Sequence, residues 1–290
     1  MNQHVVTKPR APFRSQSGRL EVHQVPAWQD NLVWLIRYND EGHCAAVDGP
    51  EPGPVMDYCR AQGFTLTTIL NTHTHGDHIG LNRGLAKLGL LESLRVVGAS
   101  KVASDVPGLT EPVRDGDTVV LGDVSGRVML TEGHIDGHLS FVFEDLLFCG
   151  DTLFAGGCGY LFDGPASKMS ASLERLARLP GETIVCCAHE YTEDNLRFAW
   201  SVEPDNQALL ERIERVWTLR AAGESSVPST IQEERETNPF LRHHSATIRK
   251  RILSADPEAT LESEALIFAA TRALKDRKAY REGMTPPFPL

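Results

Sequence analysis

Residues 71–78, Asn-Thr-His-Thr-His-Gly-Asp-His, place three histidines and one aspartate within six positions, directly after a β-branched run. In an extended chain His73 and His75 point the same way, because alternate side chains share a strand face. Gly76 then lets the chain turn, so that Asp77 and His78 face back towards the same point. Imidazoles with one carboxylate suit zinc, iron or manganese. The alternative is a histidine-rich loop without metal, but HxHxDH at a strand end is rarely accidental and favours a metal site.

Three further candidate ligands, His134, Asp151 and His189, each follow a later β-rich run. Taken singly, each is more often an ordinary loop residue than a ligand. Together with residues 73–78 they make seven candidates, five imidazoles and two carboxylates. Seven ligands overfill one four- or five-coordinate ion, whereas they fit two ions that share a bridging aspartate.

The composition limits the class of protein. The chain has 290 residues, 41% of them hydrophobic, which predicts one large domain or one domain with a smaller partner. A net charge of −10 argues against a large nucleic-acid surface, and no apolar run reaches the length of a membrane span. Six cysteines without a CxxC motif indicate reduced thiols, so we expect a cytoplasmic protein. Residues 1–19 are basic, free of acids and interrupted by prolines, which favours a flexible tail over a transit peptide.

The pattern of apolar residues changes near residue 190. Residues 20–190 alternate short β-rich runs with turns, which predicts an α/β (α+β) fold of two sheets or a sandwich with helices outside. Residues 191–290 are predicted to be all helical, with Thr230 and Glu233 as a capping-box pair. The helices expected there cover residues 190–202, 206–222, 230–236 and 258–280.

The motif THTHGDH at 72–78 resembles the signature of the metallo-β-lactamase superfamily. Additional motifs resemble the glyoxalase II (hydroxyacylglutathione hydrolase) family. They are GDTLFAGGCGYLF at 150–162, HEYT at 189–192, NPFLR at 238–242 and Arg272-x-x-Lys275-Asp276. The resemblance covers about Leu20 to Lys278 and implies an αββα two-sheet sandwich that carries the metals at 20–190. It also implies a helical substrate-binding domain at 191–290.

The resemblance also implies a set of site residues, with two divalent ions per chain, zinc first and iron or manganese as alternatives. The ligands are His73, His75 and His134 for the first ion, Asp77, His78 and His189 for the second, and Asp151 as the bridge. The residues implied for substrate binding are Tyr160, Phe162, Tyr191, Arg272 and Lys275. The family usually has a basic residue at position 160. Without the resemblance, Arg272 and Lys275 belong to a solvated charged run.

The implied reaction is hydrolysis of S-(2-hydroxyacyl)glutathione, typically S-D-lactoylglutathione, to glutathione and D-lactate, as in methylglyoxal detoxification. Metals turn water into a nucleophile near neutral pH, so a metal-bridging hydroxide is the expected attacking group, oriented by Asp77. A thiolate leaves without a proton donor, which explains the lack of an obvious general acid. We expect a small-molecule glutathione thioester as partner, a monomer, and no nucleic-acid or membrane partner.

Several alternatives remain at this stage. The same scaffold supports a lactonase, a thioesterase for another thiol, or a persulfide dioxygenase with one iron. The complete second ligand set argues against the dioxygenase and against a non-enzymatic interaction module. A nuclease would need a basic surface that the net charge of −10 does not favour. Cys149 or Cys158 as a nucleophile is disfavoured, because no histidine is left over to activate either thiol. Asp48 is predicted to accept a hydrogen bond from a ligand imidazole, and His138 either orients the site or lies on the surface.

Overall fold

The computed structural model of the chain describes residues 4–283 and 287–290 and contains two large β-sheets that share one core. The first sheet has seven strands in sequential order: β1 Phe13–Arg14, β2 Glu21–Ala27, β3 Asn31–Arg37, β4 His43–Val47, β5 Thr65–Leu70, β6 Arg95–Ala99 and β7 Glu111–Val113. Strands β1 to β4 pair antiparallel, and β4 to β7 pair parallel.

The second sheet has six strands in the spatial order β15-β14-β11-β10-β9-β8. Their bounds are β8 Thr118–Leu121, β9 Val124–Leu130, β10 Leu139–Phe143, β11 Leu146–Gly150, β14 Ile184–Cys187 and β15 Ser229–Thr230. The two-residue strands β12 Leu153–Phe154 and β13 Gly157–Cys158 pair separately. Strand β15 comes from the segment predicted to be all helical, so that prediction misses one short strand on the edge of the second sheet.

Eight helices complete the described part of the chain. They are α1 Pro52–Gln62, α2 Gly80–Lys87, α3 Ala166–Ala177, α4 Thr192–Val202, α5 Gln207–Ala221, α6 Ile231–Thr237, α7 Ala246–Ala255 and α8 Glu264–Asp276. The predicted cap of α6 is present, because the Thr230 side chain accepts a hydrogen bond from Glu233 N at 3.2 Å. Helix α7 was not predicted, and α8 begins at Glu264 rather than at 258, after the capping residue Ser263. In the described ranges, no helix is long and apolar enough to cross a membrane.

Strand β3 shows why the layers stack as they do. Its alternate residues Trp34 and Ile36 enter the core shared by the two sheets. Val33 and Leu35 face the other way, into the cluster that α1 and α2 complete. A strand buried on both faces reads as a continuous apolar run, as this one does. The indole Nε1 of Trp34 donates to Cys187 O at 2.9 Å and joins the sheets near the end of β14.

The amino-terminal segment differs from the flexible tail predicted for residues 1–19. Val5 N donates to Gln29 O, and Lys8 N donates to Gly223 O, each at 2.8 Å. Strand β1 then pairs with β2. The predicted flexibility came from prolines and basic charge, but backbone groups of residues 5–14 find partners on the folded body. Residues 1–3 lie outside the described part of the chain.

Candidate metal centre

Four strand ends bring the seven candidate ligands to one edge of the two sheets. The loop after β5 carries residues 73–78, and the loops after β9, β11 and β14 carry His134, Asp151 and His189. Parallel pairing of β11 with β14 places the ends of these two strands side by side. Ligand sites in layered α/β folds form at such carboxyl edges.

A first cluster contains His73, His75, His134 and Asp151. His75 Nδ1 lies 3.1 Å from His73 Nε2 and 3.0 Å from His134 Nε2. Asp151 Oδ2 lies 3.4 Å from His134 Nε2. Ligand atoms about 2.0–2.1 Å from a tetrahedral ion stand roughly 3.3 Å apart, so these four atoms have the spacing of a zinc-type coordination shell.

A second cluster contains Asp77, His78 and His189. Asp77 Oδ2 lies 3.4 Å from the Nε2 atoms of both His78 and His189. Asp151 Oδ1 lies 3.5 Å from His78 Nε2 and 3.4 Å from His189 Nε2. The two oxygens of Asp151 therefore face different clusters, an arrangement that suits a bridging carboxylate.

Two buried atoms of this site lack hydrogen-bond partners among the described residues: His78 Nε2 and Asp151 Oδ1. Leaving a buried polar atom unsatisfied is costly, so such atoms in a native fold call for an ion or a water. Both atoms point into the second cluster and are of the donor types that divalent metals prefer. The residues present therefore fit two divalent ions.

The electrostatics of the site also fit cations. Burial alone would raise the pKa of Asp151, but His189 and His78 hold it well below its usual range. Burial likewise opposes the lowering of the pKa of Asp77, which His189 and His78 bring about by hydrogen bonding. Burial lowers the pKa of His73 and of His134. Burial also opposes charge on His78 and His189, but Asp151 outweighs it and raises the pKa of both, that of His189 to about 9, so these two imidazoles give up a proton when an ion binds. Ionised carboxylates and neutral imidazoles are the protonation states that metal ligation needs.

Hydrogen-bond partners surround the candidate ligands, and oxygen acceptors contact the imidazole nitrogens that face away from the cluster. Nδ1 of His78 lies 2.9 Å from Asp48 Oδ2, as predicted for Asp48. Nδ1 of His134 lies 2.7 Å from Tyr160 O. His138 is fully buried, and its Nε2 accepts a hydrogen bond from Asp151 N at 3.1 Å, so it is not a surface residue. Such partners set the tautomer and direction of a ligand.

Asp30 and Asn31 were not predicted as site residues. Asp30 Oδ1 lies 2.8 Å from His189 Nδ1, and Asn31 Nδ2 donates to Asp77 Oδ2 at 3.0 Å. Both sit where the β2–β3 hairpin meets the end of β14, through a bridge between Asn31 and His189. The only sign of these two site residues in the sequence is a pair of polar residues at a hairpin turn. Most hairpin turns carry such residues, so the pair could not be recognised as part of a site.

A cleft of about 560 Å³ lies beside the ligand cluster and is lined by residues from both halves of the chain. Arg272 and Lys275 line it and are only 7% and 8% exposed, so they do not belong to a solvated charged run. Arg272 Nε donates to Asp276 Oδ1 at 2.9 Å, and Lys275 Nζ contacts Asn195 Oδ1. Burial, and then Arg272, lower the pKa of Lys275 to about 8.

The three predicted aromatic residues lie between the cleft and the metal cluster. Tyr191 stacks on the ring of His189, with centroids 4.7 Å apart, and lines the cleft. Tyr160 also lines the cleft and is 53% exposed. Phe162 is 59% exposed and meets His75 and His134 edge-on, so it borders the metal cluster.

The cysteines near the site are poor nucleophiles. Cys149 and Cys158 are buried, and burial raises the pKa of both thiols. Arg272 and Lys275 only partly offset this for Cys158. Because the thiolate is the reactive form, these residues do not support covalent catalysis.

Comparison with known proteins gives matches along most of the chain. A family model described as the metallo-beta-lactamase superfamily matches residues 29–189, and one described as the hydroxyacylglutathione hydrolase C-terminus matches residues 190–278. The chain is 47% identical over 260 residues to a hydroxyacylglutathione hydrolase of Methylococcus capsulatus, covering 89% of this chain and 98% of that protein. It is 46% identical over 258 residues to one of Aliivibrio fischeri, covering 89% and 99%.

Among solved structures, the chain is similar to ETHE1 from Myxococcus xanthus, with a TM-score of 0.57 and 24% identity. That similarity covers 87% of this chain and 96% of the other. It concerns the fold alone, which is the two-sheet architecture described above.

Proposed function

Because this chain belongs to the hydroxyacylglutathione hydrolase family of the metallo-β-lactamase superfamily, we propose that its substrate is an S-(2-hydroxyacyl)glutathione, such as S-D-lactoylglutathione. The chain is a thioester hydrolase, and the products are glutathione and a 2-hydroxy acid such as D-lactate. The observation that carries the proposal is Asp151, whose two oxygens face two separate groups of ligand atoms. This geometry supports a centre with two divalent ions.

The proposed ligand sets follow from these distances. One ion would be held by His73, His75, His134 and Asp151, and the other by Asp77, His78, His189 and Asp151. We propose zinc, with iron or manganese as alternatives, because imidazole and carboxylate ligands accept all three. When bound, such ions supply hydroxide from water near neutral pH and polarise the thioester carbonyl.

The chain's own residues then orient the reactants. Asp77 Oδ2 already accepts a hydrogen bond from Asn31, which leaves its other oxygen as an acceptor for a proton of the attacking water. Tyr191, stacked on His189, and Phe162, against His75, form aromatic walls beside the reacting carbonyl. The glutathione part of the substrate lies in the cleft, where Arg272 and Lys275 provide positive charge for its glycine carboxylate.

We expect Arg272→Ala to raise KM for a glutathione thioester about five- to thirtyfold with little change in kcat. The reason is that a charge holding the glycine carboxylate, away from the reacting carbonyl, contributes equally to ground state and transition state. Steady-state kinetics with glutathione and with N-acetylcysteamine thioesters check this. Arg277→Ala, an exposed arginine that does not line the cleft, is the matched control. Equal effects on both substrates would refute the role of Arg272 in binding glutathione.

A pH dependence follows from Lys275, whose pKa is lowered to about 8. Only the protonated amine attracts a carboxylate, so affinity is present below this pKa and is lost as pH rises through it. We expect kcat/KM for glutathione thioesters to fall above about pH 8 and to level off once the amine is neutral, because only this one contact is lost. A Lys275→Arg variant should lose this limb, because arginine does not titrate there. If kcat/KM of that variant still falls above about pH 8, the fall belongs to the titration of another group.

A thioester panel separates the proposal from its rivals. Thioesters of one acyl group with glutathione, coenzyme A and N-acetylcysteamine, together with a lactone, are compared by kcat/KM. Preference for the glutathione thioester supports the proposal, whereas preference for another thiol or the lactone favours a different hydrolase. Oxygen consumption with a glutathione persulfide, on protein loaded with one iron, would instead favour the dioxygenase.

We also propose that the protein is cytoplasmic and monomeric. We place the boundary between its catalytic domain and its helical domain near residue 190. All six cysteines are free and buried, which fits a reducing compartment. The two family models meet between residues 189 and 190, which supports this boundary.

A further inference from the structure

The cleft that takes the glycine end of glutathione also carries charges that this role does not use. Four charged residues on its outer side are Asp194, Asp276, Lys278 and Arg281. Asp194 is already occupied: Oδ2 accepts from Tyr280 OH at 2.9 Å, and Oδ1 from Arg281 Nε at 2.9 Å. Both oxygens of Asp194 are therefore occupied, which leaves Lys278 and one oxygen of Asp276, whose other oxygen contacts Arg272, for a ligand.

Lys278 is exposed, lines the cleft and makes no ion pair within the described ranges. It lies one helical turn beyond Lys275, just after α8 ends, with a φ of 56°. This left-handed conformation is normally taken by glycine at a helix end, and it is strained for lysine. The chain therefore keeps a cationic side chain at the cleft where glycine would suit the backbone better.

Asp276, two residues before Lys278, lines the same cleft and has one oxygen without a hydrogen-bond partner among the described residues. Its Oδ1 accepts hydrogen bonds from both Nε and Nη2 of Arg272. Its Oδ2 has no hydrogen bond to any described residue, and the side chain is 37% exposed. An ammonium and a carboxylate acceptor thus stand two residues apart on the same rim.

Glutathione ends in the α-amino and α-carboxylate groups of its γ-glutamyl residue, a zwitterion whose charges complement this pair. We propose that Lys278 binds the α-carboxylate and Asp276 Oδ2 the α-ammonium of that residue, which makes the pair a specificity determinant for the γ-glutamyl end. This inference rests on the proposed function. It leaves the glycine carboxylate to Arg272 and Lys275.

The test uses three thioesters of one acyl group, with glutathione, γ-glutamylcysteine and N-acetylcysteinylglycine as thiols. The last lacks the γ-glutamyl zwitterion, and its acetyl group prevents acyl transfer to the cysteine nitrogen. Lys278→Gln should raise KM roughly three- to tenfold for the two γ-glutamyl substrates, with kcat unchanged, and leave the third substrate unaffected. Lys278→Gly, which suits the backbone, should give the same pattern, and Lys278→Arg should restore the wild-type KM.

A matched control keeps the result interpretable. Lys250→Gln removes one exposed positive charge that does not line the cleft and should leave all three KM values unchanged. Asp276→Asn is a second test variant: it should raise KM for the two γ-glutamyl substrates by more than for N-acetylcysteinylglycine, whose KM reports the disturbed contact with Arg272 alone. Equal increases for all three substrates would overturn the role of Asp276. A Lys278→Gln variant with unchanged KM values, or with a change only for the two glycine-containing substrates, would overturn the inference while wild-type hydrolysis of the glutathione thioester still supports the proposed function. Failure of the wild type to hydrolyse that thioester would instead overturn the function itself.

Discussion

Replacing Asp151 with alanine is expected to remove metal from both sites and to lower kcat/KM by about three orders of magnitude or more. Asp151 has one oxygen towards each ligand group: Oδ2 lies 3.4 Å from His134 Nε2, and Oδ1 lies 3.4 Å from His189 Nε2. Its removal takes an anionic ligand from each ion at once. It also removes one of the two carboxylates near the buried His78 Nε2, and Asp77 is the one that stays.

Metal analysis and circular dichroism on the purified variant check this prediction. The expected metal content falls well below one ion per chain while the fold is retained. Asp57→Ala, an exposed carboxylate on α1, is the matched control and should keep two ions per chain. An Asp151→Ala protein that still binds two ions with wild-type affinity would show that Asp151 does not bridge them.

Replacing Asp48 with alanine is expected to weaken binding of the second ion roughly 10–100-fold, although Asp48 lies outside the proposed ligand set. Asp48 Oδ2 orients His78 through Nδ1 at 2.9 Å. Its oxygens also accept from Thr72 N at 2.8 Å and Thr72 Oγ1 at 2.6 Å. Without them a buried backbone N–H and an imidazole lose their partners, which should cost about 1–3 kcal/mol of stability as well.

The two effects of Asp48→Ala are separable. Competition with a chelator measures metal affinity, and urea unfolding of metal-free protein measures stability. Asp48→Asn keeps the side-chain volume, and asparagine tolerates the φ of 57° at this position. It replaces one of the two acceptor oxygens with an NH2 group, which cannot accept. Stability lost without any change in metal affinity would limit Asp48 to a structural role.

The structure brings together the seven candidate ligands that the sequence singled out, and their concentration along the chain is the reason they could be found. Residues 73–78 supply four of the seven proposed ligands in one loop, and local geometry is enough to bring them together. His134, Asp151 and His189 could be added because each follows a recognisable β-rich run. The predicted fold class is also confirmed. It could be predicted because strand and helix periodicities differ clearly on the two sides of residue 190.

Features that depend on tertiary pairing were missed. Asp30 touches His189 across 159 residues of sequence, and only the pairing of the β2–β3 hairpin with the end of β14 reveals it. Tertiary pairing is also needed to recognise β15, whose two residues pair with β14 at the sheet edge. It is needed as well to see that the amino-terminal segment hydrogen-bonds to the folded body. Helix α7 has only two fully buried side chains, Ile248 and Ile252, so its apolar periodicity is weak.

The most direct test of the central claim is a zinc titration of metal-free protein, followed by release of free glutathione from S-D-lactoylglutathione. A centre with two ions that share Asp151 predicts that activity continues to rise until two equivalents are bound and is then constant. The same reaction should yield one D-lactate for each glutathione released. Full hydrolysis at one equivalent, or none at two equivalents in a folded protein, would contradict a dimetal glutathione thioester hydrolase.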